Sequence, residues 1–437
     1  MYRDAAPATR PSGTVATLKP YEVERPRPFL VSSTRSPLAS PQTPVHRLAA
    51  AVQQLLYFPD PGPLYAVCGT VCANVMRGYP TWLMLIGPPE SGKTELLKQL
   101  VGLQGIKECG DLSGKAALMS GTSLKEHAAD STGGLLMDMP LSERENGVRR
   151  GLLVMLDFAR TVLAGDPGAA RSTMGAIGML HDQHWQRELG TDGGRTIEFK
   201  GRVGFIAACT DMIDHPDHQQ TNAEMGERCL YYRYPVSDGY HEINATLDSP
   251  DGTDKSKQLH ELFGKFWAEL EWPDAWDDAE EPRRLTDKER KTVAALAQFA
   301  ARARSGVQRD KYKREEVQGV SRAALGPRLA NSLAQLLRGM ERAGCTEAER
   351  HRVVAQCALD SIPGIRAAVI DLIRKLPSTT TEVARSIRVS PSAAKRTLED
   401  LRLHGLADCT QGDGNGSWRL SDVARSLMKA GWGDLED

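Results

Sequence analysis

The chain has 437 residues, 41% hydrophobic, 25% charged and only 6% aromatic, with 55 Lys and Arg against 56 Asp and Glu for a formal charge of −1. That is an ordinary globular balance, long enough for two or three domains with mainly aliphatic cores. It excludes a membrane span, since no run approaches ~18 uninterrupted apolar residues, and the opening MYRDAAPATRPSG lacks the apolar stretch of a secretory signal, so a cytoplasmic protein is expected.

The near-neutral total hides segregation. Residues 247–281 carry 11 acids and 3 bases, whereas residues 283–342 carry 15 bases and 6 acids. A polyanionic partner is therefore compatible with the net charge. Of the 8 cysteines, only Cys68 and Cys72 are close in sequence, and no second pair completes a zinc site. They read as core residues of a helix in a reducing compartment.

In chain order, residues 1–44 hold eight prolines and no periodicity, and read as a disordered tail. Helices are expected near 45–57 and 63–77, separated by Asp60-Pro61-Gly62-Pro63. The runs WLMLI (82–86), LLVML (152–156), VGFIAAC (203–209) and CLYYRY (229–234) then alternate with helical stretches. Continuous apolar runs of this length suit strands buried on both faces, so an α/β core with a parallel sheet is expected over 45–240. An acidic linker with loop signals follows over 240–283, then an entirely helical stretch over 285–360, the two together making a unit over 241–362. Thr286-x-x-Glu289 and Thr346-x-x-Glu349 are capping boxes that each open a helix. Pro363-Gly364 sets off a last unit over 363–437.

The most specific signal is Gly87-Pro88-Pro89-Glu90-Ser91-Gly92-Lys93-Thr94, which follows an expected strand and opens an expected helix whose next residue is Glu95. Glycines let the backbone N–H groups turn onto phosphate oxygens, and the helix N-terminus adds its dipole. In such a P-loop Lys93 reaches the β- and γ-phosphates and Thr94 ligates Mg²⁺, so ATP with Mg²⁺ is the expected ligand. The second half of the site needs an acid at a strand end. Asp157 closes GLLVMLD and is preferred as the Mg²⁺-side carboxylate over Asp138, whose short run leads into Pro140. Many such ATPases carry Glu after this Asp to polarise the attacking water, and this chain has Phe158, which points to slow hydrolysis or another acid.

Residues 179–210 read as a helix end, a polar strand, a turn at Asp192-Gly193-Gly194, a second polar strand and the buried strand ending at Thr210. This pattern resembles the pre-sensor-1 β-hairpin group of AAA+ ATPases, which includes minichromosome-maintenance helicases and enhancer-binding activators. It is also similar to ATP-binding proteins of bacterial mobile elements. The resemblance spans roughly residues 50–345. It implies Thr210 as the polar sensor-1 residue, Arg228 as arginine finger with Arg233 second, and Arg328 as sensor 2. It also implies that Arg187 and Arg195, near the hairpin turn, contact DNA. His181 and His184, with no acid at metal spacing, read as surface histidines.

Residues 364–430 resemble a winged helix-turn-helix. Ser390 caps its second helix, Pro391 opens it and Gly405 closes it, with two strands around a Gly-rich loop following. Ala394, Leu398 and Leu401 form the inward stripe, leaving Ser392, Lys395, Arg396, Glu399 and Arg402 outside. In this arrangement Ser392, Lys395, Arg396 and Arg402 are the expected DNA contacts.

The leading expectation is an oligomeric AAA+ ATPase, assembled as a ring or filament, that acts on DNA as a motor or remodeller of replication or mobile-element type. The alternatives are an ATP-switched DNA-binding regulator and a protein-remodelling ATPase.

Overall fold

The computed structural model describes residues 43–56, 60–110, 115–119, 134–139, 141–142, 148–163, 175–189, 195–215, 228–234, 252–271, 281–310, 316–320, 325–410 and 416–433. The tail expected over 1–44 thus lies outside the described residues up to position 42. Among the described residues, no single helix is long and apolar enough to cross a membrane.

Helices α1 (Pro44–Leu55) and α2 (Gly62–Val75) follow the expected positions, each with proline in the first turn, where a missing N–H costs nothing. Every residue of α2 is buried, Cys68 and Cys72 included. Next come β1 (Trp82–Ile86), α3 (Lys93–Lys98), β2 (Ile106–Glu108), α4 (Lys115–Leu118), β3 (Leu141–Ser142), β4 (Val148–Met155), β5 (His184–Leu189), β6 (Arg195–Cys209) and β7 (Cys229–Arg233). Five of these make a parallel sheet in the order β2-β4-β6-β1-β7. The short β3 pairs antiparallel with β4, and β5 pairs antiparallel with the first half of β6 as the expected hairpin. Its turn at 190–194 lies outside the described residues.

The sheet separates two apolar layers, because successive side chains of a strand face opposite ways. Leu83 and Leu85 of β1 face the layer built from α1, α2 and the later helices. Trp82, Met84 and Ile86 face a smaller layer with Phe158, Ile177 and Leu180.

Two expectations past the sheet need correcting. Helix α5 (Gly252–Glu269) occupies part of the expected acidic linker. It buries Leu259, Phe263, Phe266 and Trp267 and packs on α1. Charge and the nearby turn residues masked a helical apolar stripe. The stretch over 285–360 is also not entirely helical. After α6 (Asp287–Arg304), strands β8 (Val307–Arg309) and β9 (Val317–Val320) form an antiparallel pair before α7 (Pro327–Ala343) and α8 (Glu347–Asp360). Both expected capping boxes are present, at Thr286/Glu289 and Thr346/Glu349.

The C-terminal region is helical with a small sheet: α9 (Gly364–Lys375), β10 (Ser378–Thr379), α10 (Thr380–Ser386), α11 (Pro391–Leu403), β11 (Ala407–Cys409), β12 (Ser417–Leu420) and α12 (Asp422–Trp432). The strands pair antiparallel in the order β10-β12-β11. Ser390 accepts from Ala393 N at the start of α11, and Ala394, Leu398 and Leu401 face inward. This region shares its core with α6. Trp432 meets Phe299 edge-on at 5.4 Å, and Arg366 donates to Ala303 O (2.8 Å) and Ser305 O (2.6 Å) at the end of α6.

Candidate functional site

The loop after β1 is shaped by two left-handed residues. Gly92 has φ of 78° and Glu90 has φ of 63°. For Glu90 that conformation costs roughly 1 kcal/mol or more, a strain of the kind found at ligand-binding loops. Gly87 is required by contact instead, since a Cβ there would sit 2.9 Å from Tyr234 Cβ.

Lys93 is only 6% exposed. Its Nζ lies inside the loop, donating to Gly87 O (3.0 Å), Pro88 O (2.5 Å) and Ser91 Oγ (2.8 Å). Burial lowers its pKa, while Asp211, Cys209 and Asp157 act in the opposite direction. The ring of Tyr234 lies 6.0 Å from Nζ. Tyr234 went unnoticed in the sequence. The signal was its position one residue beyond Arg233, which pairs in register with Ile86. Its backbone N–H donates to Ile86 O at 2.8 Å. Pro88, Pro89 and Glu90 are exposed, and Glu95 is turned to an ion pair with Lys98 at 2.7 Å on the surface of α3.

The sheet brings the expected second half of the site to this loop. Thr94 Oγ1 lies 3.5 Å from Leu156 O, and Asp157 follows directly. Asp157 is exposed, with Oδ1 accepting from Arg160 N at 2.9 Å. A hydroxyl and a carboxylate so placed are hard oxygen donors that fit Mg²⁺ completed by water and phosphate. The rival Asp138 sits in a short 3₁₀ turn rather than at a strand end. Phe158 is fully buried, so position 158 belongs to the core beneath the site.

Between β4 and β1 lies β6, and Cys209 O at its end accepts from Gly87 N at 3.2 Å, which ties the end of β6 to the loop. Thr210 follows, and its Oγ1 is buried with no hydrogen-bond partner among the described residues. A buried hydroxyl without a partner is costly unless a ligand satisfies it. Residues Asp211–Asp214 then form a 3₁₀ turn.

The arginines fall at the two ends of the sheet. Arg233, at the loop end of β7, is bound bidentately by Asp214 (2.8 and 3.0 Å), and its Nε donates to Asp360 O (3.0 Å). It is a buried bolt between the 211–214 turn and the end of α8, which removes it as the second finger candidate. Arg228 precedes Cys229, which pairs with Trp82 at the opposite end of β1. At ~3.3 Å per residue that is on the order of 13 Å from Ile86. Its guanidinium lies over Gly178, whose added Cβ would be 3.4 Å from Arg228 Cζ.

Arg328, the expected sensor 2, lies 3.7 Å from Asp182. The neighbouring His181 meets Trp82 edge-on at 5.1 Å, which puts Arg328 at the same far end as Arg228. The first turn of α7 reaches that end of the sheet, a placement that chain order could not reveal. His181 is not a surface residue: it is 4% exposed, and burial pushes its pKa down to about 4. The side chain of His184 lies outside the described residues.

Among the expected DNA contacts, Arg187 is half-buried and donates to Met119 O at 2.6 Å. It is engaged within the chain. The side chain of Arg195 lies outside the described residues. Ser392, Lys395 and Arg402 are exposed on α11 and Arg396 is half-buried. Glu399 and Asp400, on the same helix, take Arg309 at 3.3 and 2.6 Å.

No family model matches the chain, and no curated protein matches it. Among solved structures it is similar to that of a "putative ATPase" from Cytophaga hutchinsonii ATCC 33406, at 10% identity and a TM-score of 0.37, over 74% of this chain and 88% of that one. By its own strand order and elements, the chain is an α/β protein with a five-stranded parallel sheet and a helical C-terminal region.

Proposed function

We propose that this protein is an AAA+ ATPase that binds ATP with Mg²⁺ in the loop Gly87–Thr94 and couples hydrolysis to work on DNA. The observation that carries the nucleotide reading is the buried Lys93 amine. It is enclosed by its own loop between β1 and α3, with Thr94 next to it in α3 and Asp157 and Thr210 at the neighbouring strand ends. Lys93 and the loop N–H groups would hold the β- and γ-phosphates, Thr94 and Asp157 the cation, and Thr210 a γ-phosphate oxygen. The bound Mg²⁺ supplies charge neutralisation at the phosphates.

Arg228 lies too far along the sheet to serve its own loop, which favours action on a neighbouring copy in an oligomer. Arg328 at the same end is read as facing that neighbour too. The helix–turn–helix–hairpin of residues 364–430 is read as a winged helix whose α11 offers Ser392, Lys395, Arg396 and Arg402 to DNA.

A second reading is an ATP-switched DNA-binding regulator. Phe158 favours it, because a phenyl ring in place of a carboxylate after Asp157 suits weak hydrolysis. The deciding experiment measures ATP turnover with and without single- and double-stranded DNA. DNA-stimulated turnover is expected, and ATP-dependent DNA binding without turnover would favour the switch. Neither DNA binding nor stimulation would leave a protein-remodelling ATPase. Lys93→Ala should remove productive nucleotide binding or turnover in a chain that still folds. Normal turnover in that variant would refute the nucleotide site.

A further inference from the structure

With Phe158 inside the core, the attacking water needs another acceptor for its proton, and the strand ends beside the Lys93 loop supply two carboxylates, Asp157 after β4 and Asp211 after β6. Asp157 adjoins Thr94 on the cation side, with Oδ1 already accepting from Arg160 N. The other is Asp211. It directly follows Thr210 and opens the turn anchored by the hydrogen bond from Gly87 N to Cys209 O.

Four features suit Asp211 to chemistry. Its side chain is 49% exposed, so solvent reaches it. It stands on a turn held from both ends, by the strand pairing of β6 with β1 and by the bidentate grip of Asp214 on Arg233. Its Oδ1 lies 3.8 Å from Arg233 Nη1, a guanidinium whose position is fixed by Asp214 and Asp360. It is also one residue from the Thr210 hydroxyl that lacks a hydrogen-bond partner among the described residues.

We propose that Asp211 is the general base of this site, taking the proton from the water that attacks the terminal phosphate. The inference rests on the ATPase reading above. The water oxygen forms a bond to the γ-phosphorus, and the bond from that phosphorus to the β,γ-bridging oxygen breaks. The electron pair of the broken bond stays on ADP, one water proton passes to Asp211, and from there it leaves to solvent. ATP and water become ADP, phosphate and that proton, with no oxidant or further reactant.

The test uses the full chain and the variants Asp211→Asn and Asp211→Glu, each checked for an unchanged thermal midpoint. Two quantities are measured: the affinity for a fluorescent ATP analogue with Mg²⁺, and the rate of single-turnover ATP hydrolysis with protein in excess. Asp211→Asn should keep its affinity within about threefold and lose about a hundredfold or more in rate, the usual worth of a positioned general base. Asp211→Glu, with a carboxylate one carbon further out, should recover at least about tenfold of that loss. Hydrolysis by Asp211→Asn within about threefold of the parent would overturn the proposal. So would an affinity loss as large as the rate loss, which would make Asp211 a binding residue. A parent chain that binds the analogue but never hydrolyses ATP overturns both this inference and the ATPase reading, and leaves the switch. A parent that binds no nucleotide overturns the nucleotide site itself.

Discussion

Burial sets the chemistry of single residues here, and His181 shows it most directly. Its ring is enclosed against Trp82, and desolvation of the charged form is the first cause of its lowered pKa, with Arg228 and Arg328 adding to it and Asp182 opposing. The folded value of about 4 lies below the ordinary 6.5. The unfolded chain therefore takes up the proton first as pH falls, so stability drops from pH 6.5 downward and the loss is complete near pH 4. At pH 5 this one group should cost about 2 kcal/mol relative to pH 8. Urea unfolding at both values should show a smaller difference, by about that amount, in His181→Phe. An identical pH dependence in the two proteins would mean that His181 is solvated in the native state.

Helix packing depends on contacts that leave no room for a side chain. Where α7 crosses α2, a Cβ on Gly339 would land on Gly69 O and 2.7 Å from Ala73 N. A Cβ on Gly69 would in turn strike Met340 Cγ. The two backbones touch, and that close approach lets Gln335 reach Ala73 O (3.3 Å) and Arg77 O (2.8 Å). Buried Arg150 and Arg202, paired in register on β4 and β6, reach the same helix end: Arg150 donates to Val75 O (2.5 Å), Arg202 to Ala73 O (3.0 Å) and Met76 O. Cations at a helix C-terminus are favourable, and here they also satisfy carbonyls that would otherwise be buried alone. Gly339→Ala should force the helices apart at a cost of about 3 kcal/mol in urea unfolding. A change below about 0.5 kcal/mol would show that the crossing yields easily.

At the scale of the whole molecule, the loop and Arg228 lie at opposite ends of the same strands. One copy therefore presents the Lys93 loop at one end and the Arg228 guanidinium at the other, so in the proposed head-to-tail oligomer the two would meet between copies. Lys93→Ala disables the pocket and spares Arg228, and Arg228→Ala does the reverse. Each alone should be inactive, with ATP binding kept in Arg228→Ala, and mixing them should restore part of the ATPase rate. Zero activity at every ratio, with mixed assembly confirmed, would count against action between copies. The C-terminal region tests separately, in the full chain because its core continues into α6. Replacing Lys395 and Arg402 together with Ala should weaken duplex DNA binding at all sequences. It should also flatten the log–log salt dependence by about two. An unchanged slope would move the DNA contact off α11.

The sequence by itself determined the local features. The strand Trp82–Ile86, the loop with Gly87, Gly92 and Lys93, Asp157 at a strand end, Thr210 after another, both expected capping boxes and the inward stripe of α11 all follow from short-range rules. Periodicity, backbone freedom and caps act within a few residues, so they are legible in one dimension. Only the tertiary structure decided what depends on distant partners. The strand order that brings Asp211 and Tyr234 to Lys93 is one example, and the Asp360 bond that turns Arg233 into a bolt is another. The burial of His181, the far placement of Arg328 and the apolar face of α5 beneath its charges belong with them. Burial and charge pairing are properties of the assembled neighbourhood, and the chain order of these residues carries no trace of who their neighbours are.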